Sequence, residues 1–313
     1  MMNVLCVTLH PAIDKAVRVK RLVPDEIARA TIAMIYGGGK GNNVARALTH
    51  LKVPVIATGY QGGYSGKFIT GELRKEGIRT EFVECKADTR TSMLIQEDDT
   101  GYTYAIYEPG QKVEEDEIEA LIQKFEQLLP ETSLCLLCGS GQTDSLAKVY
   151  GRMITLAREK GVHSLIDSSG PALEYGIKAV PYMVKVNQHE LGTYLGRALD
   201  NLEKQVDAIL ELQKIGIAFV ALSRGPEGMI ATDGKEVWSG KVEVKRVINT
   251  VGCGDSLLAG ISKGLLDHMV LPDLIRWGIS CGSANTQVRG AGFIEIETVC
   301  KLIDKAKITQ LNQ

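Results

Sequence analysis

Asp255 stands in the stretch NTVGCGDS, residues 249–256, directly behind Gly252, Cys253 and Gly254 and at the head of an apolar helical pattern that includes Leu257, Leu258, Ile261 and Leu265. Glycine costs roughly 1 kcal/mol against alanine inside a helix, so two of them at one helix start mark backbone that must come close to a ligand. Main-chain N–H groups of Gly252, Cys253 and Gly254, converging at the positive end of the helix dipole, form a site for an anion such as a migrating phosphoryl group. An aspartate of ordinary pKa, about 3.9, is ionised at neutral pH and can accept a hydroxyl proton as that oxygen attacks. The same residue type also serves as a helix cap, the plainer alternative.

A second glycine cluster, YGGGKGNNVARAL, sets Gly37, Gly38, Gly39 and Gly41 around Lys40, with a helix expected from Asn43. It lacks the Ser or Thr that a P-loop places directly after Gly-Lys, and it follows a period-two strand rather than the buried parallel strand of a dinucleotide fingerprint. A cation and an amide beside exposed N–H groups suit a hydroxylated, negatively charged ligand. In KVNQHEL, Asn187 and Glu190 lie three apart at a helix start, hence on one face. They are sparse oxygen ligands of the kind a hydrated divalent cation needs, or a helix cap. In LSRGPEGMI, Ser223, Gly225 and Gly228 form a turn behind an apolar strand, where open α/β sheets bind ligands.

Positioning such groups calls for a parallel sheet. From residue 134 onward the apolar runs LCLLCG, VHSLID, YMVKVN and IAFVALS alternate with helical stretches, the first over Ser145 to Lys160. NVLCVTL opens the chain as another such strand, followed by helices expected over Asn43 to Lys52 and Ser65 to Glu76. Two regions depart from this pattern. Residues 16–36 and 90–107 alternate with period two, as half-exposed antiparallel strands do, and are expected to form a small covering sheet at the edge of a single domain.

Composition narrows the function classes. With 44% hydrophobic and 24% charged residues the chain is ordinary globular material, and its net charge of -2 with scattered Lys and Arg offers no stripe for nucleic acid. No run of about 18 apolar residues spans a membrane, and no basic leader precedes the first apolar residues, so a cytoplasmic location is expected. Seven cysteines without regular spacing fit reduced thiols. Cys135 and Cys138 have CxxC spacing but sit three apart in one strand, so they are expected on opposite faces of the sheet.

In this order and spacing, the motifs resemble the ribokinase-like carbohydrate kinases of the phosphofructokinase B family over essentially the whole chain. The most specific parts are GGGKGNNVARAL through GYQGG and NTVGCGD, the latter similar to a D-T-x-G-A-G-D pattern with Asn249 and Cys253 as departures. TLHPAID and DTRTSM, with Arg90, resemble the branch acting on phosphorylated ketohexoses, the 1-phosphofructokinases and tagatose-6-phosphate kinases. The resemblance implies a three-layer α/β/α sandwich with a mainly parallel central sheet and a small antiparallel β lid of residues about 15–37 and 90–108, pairing two subunits as a homodimer.

It further implies ATP and Mg²⁺. Asp255 would be the general base and Gly252, Cys253 and Gly254 the anion hole. Asn187 and Glu190 would organise the metal, through water, with Lys185 near the terminal phosphates and Ser223, Gly225 and Gly228 lining the nucleotide site. Asp14, Gly39 and Asn43 would hold the sugar hydroxyls, Arg90 and Lys40 would grip the phosphate already on the substrate, and Ser140 would belong to the same side. The departures are His10 for Asn, GSGQTD for G-S-L-P-x-G, in which Gly139 and Ser140 remain, Val186 before Asn187, and Cys253, expected as a small filler. Two other readings stay open: a kinase for an unphosphorylated sugar or nucleoside, and a sugar-phosphate or nucleotide sensor without turnover.

Overall fold

The computed structural model describes residues 2–141 and 143–311. In chain order its elements are β1 (Asn3–Thr8), β2 (Ala12–Val19), β3 (Ile32–Gly38), α1 (Lys40–His50), β4 (Val55–Gly62), α2 (Gly63–Lys75), β5 (Arg79–Thr80), β6 (Val83–Cys85), β7 (Arg90–Glu97), β8 (Thr103–Tyr107), α3 (Glu115–Leu128), β9 (Thr132–Cys138), α4 (Asp144–Glu159), β10 (His163–Asp167), α5 (Gly170–Lys178), β11 (Met183–Asn187), α6 (Gln188–Leu195), α7 (Leu202–Gln213), β12 (Phe219–Ser223), β13 (Met229–Thr232), β14 (Val237–Lys241), α8 (Cys253–Leu266), α9 (Leu271–Asn285), α10 (Ile296–Ile303) and β15 (Lys307–Leu311).

The central sheet runs β15-β14-β13-β12-β11-β10-β9-β1-β4-β5, with β6 also on β4, and is parallel from β12 through β5. Its β-strands are buried on both faces because helices cover both, which is why they read as unbroken apolar runs. One face packs Leu5, Val7, Leu137, Ile166 and Val220 against residues of α3, α4, α5 and α7 such as Phe125, Tyr150, Leu173 and Ile209. The other packs Val4, Cys6, Leu136 and Leu165 against α1, α2, α8 and α9 through Leu48, Leu73, Leu258 and Ile275. Cys135 belongs to the first layer and Cys138 to the second, so strand alternation does separate them. Beyond β12 the sheet turns antiparallel, an edge in which β15 returns to pair with β14.

The covering sheet has the order β3-β2-β7-β8. Each hairpin is antiparallel, and the two hairpins join through a parallel β2–β7 pairing that puts Asp14 opposite Ser92. Strand β2 begins at Ala12, ahead of the expected start, so Asp14 is a lid residue rather than part of the preceding loop. Among the described residues no helix is long and apolar enough to cross a membrane.

Candidate active site

Thr8 at the end of β1, Asp167 at the end of β10 and Lys185 of β11 meet the starts of α1 and α8 at one place. Gly252 precedes α8 in the left-handed region, φ +83°, and the helix has no side-chain cap, so its first amides remain open to a ligand. A Cβ on Gly252 would lie 2.4 Å from that of Ala291, so only glycine fits this turn. Asn249 builds the turn itself: its Oδ1 accepts from Val251 N at 3.0 Å and its Nδ2 donates to the carbonyls of Val251 and Gly290, each at 3.0 Å. The Asn249 departure is thereby accounted for, since an amide supplies both the acceptor and the donors that the turn uses.

Asp255, in the first turn of α8, is buried and does not cap its own helix; its Oδ2 accepts from Asn43 Nδ2 at 2.8 Å. Burial pushes its pKa up, Lys40 opposes this, Asp167 adds to it, and the Asn43 bond and Lys185 oppose it; the net shift is upward. A base with a raised pKa is a better proton acceptor near neutrality than an ordinary aspartate. Cys253 lines the adjacent cavity, and burial raises its thiol pKa, which fits the small filler expected there.

Two ammonium groups are held beside this helix end by one carboxylate missing from the expected site residues. Asp167, the last residue of β10, is fully buried and lies 2.9 Å from Lys40 Nζ through Oδ1 and 2.8 Å from Lys185 Nζ through Oδ2. Burial alone would raise its pKa, but Lys185 and Lys40 together more than offset that and hold it below the usual value. Lys40 also faces Glu190 Oε1 at 3.7 Å. Although burial works against its charge, Asp167, Glu190 and Asp255 keep the Lys40 pKa well above the usual lysine range. Lys185 reaches the hole itself: a Cβ on Gly254 would come within 2.8 Å of its Nζ. Lys40, expected to act with Arg90 on the substrate's phosphate, shares the Asp167 carboxylate with Lys185.

The lid supplies the opposite wall. Cross-strand register places Tyr36, Asp14, Ser92 and Tyr107 in one row, and alternation turns that row to one face. Asp14 packs on Gly38, where a Cβ would sit 2.0 Å from Oδ2. Burial, with a smaller contribution from the Asp255 charge, raises the Asp14 pKa to about 6, against the lowering fields of Arg90 and Arg46 and a hydrogen bond with Ser92. Asp14 and Asp255 therefore lie close enough for the charge of one to act on the other. Arg90 donates to Glu108 O at 3.2 Å and lies 5.8 Å from the Tyr107 ring. Burial, then Arg90, lower the His10 pKa to about 4, so this imidazole is neutral at pH 7. Gly39 caps α1 at φ +104° in contact with Thr8 and Pro11, and sets Asn43 one turn into the helix. Ser140 is exposed past the end of β9; Gln142 of the GSGQTD segment lies outside the described residues.

Behind the anion hole, a cavity of about 670 Å³ runs from Ser223, Gly225 and Gly228 to Cys253 and Gly254, walled by Val242, Val247, Leu257 and Ile279. Asn187, paired with Ser223 across β11 and β12, forms a reciprocal cap with Glu190: Asn187 Oδ1 accepts from Glu190 N at 2.9 Å, and Glu190 Oε2 accepts from Asn187 N at 2.8 Å. The capping alternative is thus real, and it leaves Glu190 Oε1 facing the cleft side where Lys40 sits. Among the described residues no group of three or more His, Cys, Asp or Glu is placed to hold a metal. Asp167 was detectable in principle, as a carboxylate ending an apolar parallel strand at the sheet's ligand-binding edge.

A family model described as pfkB family carbohydrate kinase matches residues 5–298. A 1-phosphofructokinase of Bacillus subtilis (strain 168) is 30% identical over 305 residues, 97% of this chain and 99% of that protein. Phosphofructokinase-2 from Escherichia coli, solved in complex with substrates and products, superposes with a TM-score of 0.88 at 27% identity, covering 97% of this chain and 99% of that one. A possible 1-phosphofructokinase from Thermotoga maritima superposes with a TM-score of 0.87 at 24% identity, covering 99% of each chain, and supports the fold.

Proposed function

The chain belongs to the pfkB family of carbohydrate kinases, phosphotransferases with a sugar alcohol acceptor, and we propose that it transfers the γ-phosphoryl group of ATP to a ketohexose phosphate, fructose 1-phosphate or tagatose 6-phosphate, giving the bisphosphate. What supports this reading is that Asp14 feels the charges of both Arg90 and Asp255, while the cavity behind Gly254 meets the helix end that carries Asp255. The name of the Bacillus subtilis relative favours fructose 1-phosphate of the two.

In this reading Asp14 and Asn43 hold sugar hydroxyls, and Arg90 grips the phosphate already present, as a planar fork suits. Asp255 takes the proton of the attacking hydroxyl, contributing about 10² to 10⁴ in rate. The open amides of α8 stabilise the transferring group without reorganising, and Lys185 and Lys40 add charge at its flank. The donor set near α6 suits a hard, hydrated cation: Glu190 Oε1 is the carboxylate oxygen left over by the cap, and Asn187 would act through water. Mg²⁺ there would neutralise phosphate charge. The lid excludes water, and its outer row, with Ile35 and Ile106 about half exposed, is a surface for a second copy of the chain.

ADP release from ATP and Mg²⁺ is measured across ketohexose phosphates, free sugars and nucleosides. Turnover with fructose 1-phosphate or tagatose 6-phosphate well above all others is expected. Preference for an unphosphorylated acceptor would remove the role given to Arg90, and binding without ADP release from any acceptor would identify a sensor.

A further inference from the structure

Arg46 is the largest of the fully buried side chains and belongs to α1, one turn beyond Asn43. All five of its N–H groups are used. Nε and Nη2 donate to the two Glu76 carboxylate oxygens at 2.6 and 3.0 Å, Nη2 also to Gly37 O at 2.6 Å, and Nη1 to Ala291 O at 3.0 Å and to Asn43 Oδ1 at 3.3 Å. Its guanidinium packs over the rings of Phe293 and Tyr36, at 4.4 and 5.3 Å from their centroids, and the two rings meet edge to face at 5.5 Å. The group thus ties together the root of the lid, helix α1 and the loop whose Ala291 packs on Gly252. Stability alone is a weak reason for it, since apolar residues of similar volume often serve a core as well as a buried ion pair.

Its bond to Asn43 has a directional consequence. A guanidinium has donors and no acceptor, so the Asn43 amide must turn its oxygen toward Arg46 and its nitrogen away. That nitrogen donates to Asp255 Oδ2. Turned the other way, the amide would set an oxygen against the carboxylate. We propose that Arg46 is a positioning residue for phosphoryl transfer, locking the Asn43 amide as a donor to Asp255 while it fixes the lid root and the loop behind the anion hole. The inference rests on the reading of Asp255 as base. The other groups acting on that carboxyl are Lys40 from α1, Asp167 from β10, Lys185 from β11, Asp14 from β2, Tyr36 from β3, Tyr107 from β8, Cys138 from β9 and Cys253 on its own helix, and none of them contacts the Asn43 amide oxygen through the bonds described.

Arg46→Lys keeps the charge and loses the five-donor fork. A hydrogen bond to the charged form favours that form, so its loss should move the acid limb of the kcat–pH profile upward, by on the order of one pH unit, with the KM for ATP unchanged. In an Asn43→Ala background, where no amide remains to be oriented, Arg46→Lys should shift the limb no further. An unshifted limb in the single variant, or the same shift in both backgrounds, overturns the proposal. Should Arg46→Lys fail to fold, Glu76→Ala, which frees two of the five donors, must move the limb in the same direction, and no movement overturns it equally. Retained activity in Asp255→Asn would instead overturn the base assignment, whatever Arg46 does.

Discussion

Asp14 carries its carboxyl where burial disfavours charge, and both activity and stability should register that. Its pKa of about 6 in the folded chain lies above the ordinary 3.8. Below the ordinary value the group is protonated folded or unfolded and costs nothing; as pH rises through about 6 the folded state must give up a proton it prefers to keep. The full cost, roughly 1 to 3 kcal/mol, is therefore present above that pH. Asp14→Asn should accordingly raise Tm more at pH 8 than at pH 5, while kcat/KM for the sugar phosphate falls roughly 10- to 100-fold through loss of a charged hydrogen bond. Thermal melts and steady-state rates at the two pH values check this, and an equal change in Tm at both would contradict it. Asp14, Asn43 and Asp255 were legible in the sequence because glycines or a distinctive flanking pattern singled them out. Arg46 was not, since an arginine in an amphipathic helix is an ordinary surface residue until distant segments bury it, and Asp167, though it ends an apolar strand, stands out only once Lys40 and Lys185 are brought to either side of it.

At the scale of elements, the two glycines of the α8 turn serve different ends. Gly252 has a left-handed backbone and no room for a Cβ, so Gly252→Ala should destabilise the fold by about 1 to 3 kcal/mol. Gly254 has φ outside that region, and the atom a Cβ would meet is the flexible end of Lys185. Gly254→Ala should therefore leave Tm nearly unchanged and still cost turnover roughly 10² by intruding where the phosphoryl group is received. Differential scanning fluorimetry beside ADP release separates the two, and normal turnover in a folded Gly254→Ala variant would remove the anion hole from the mechanism. Most helices and parallel strands were legible because hydrophobic period and strand length are local properties. The parallel β2–β7 joint and the return of β15 to the sheet edge were not, because pairing partners far apart in sequence leave no local trace.

At the scale of the whole molecule, the lid has one face turned to the cleft and another bearing Ile35 and Ile106 in one cross-strand row. Half-exposed apolar groups in a row are costly on a monomer and suit a second copy of the chain. Ile106→Asp should convert a dimer to a monomer by light scattering and lower turnover, because an unsupported lid admits water to the cleft. A wild-type chain that sediments as a monomer at micromolar concentration would contradict this.

The central claim is that an acid under the lid frees the oxygen that receives the phosphoryl group, and the turnover of Asp255→Asn with ketohexose phosphate and ATP tests it most directly. Turnover is predicted to fall by at least about 10² with ATP affinity and Tm close to those of the parent protein. A variant that turns over normally, or one that loses stability while its folded fraction keeps full activity, would contradict the account.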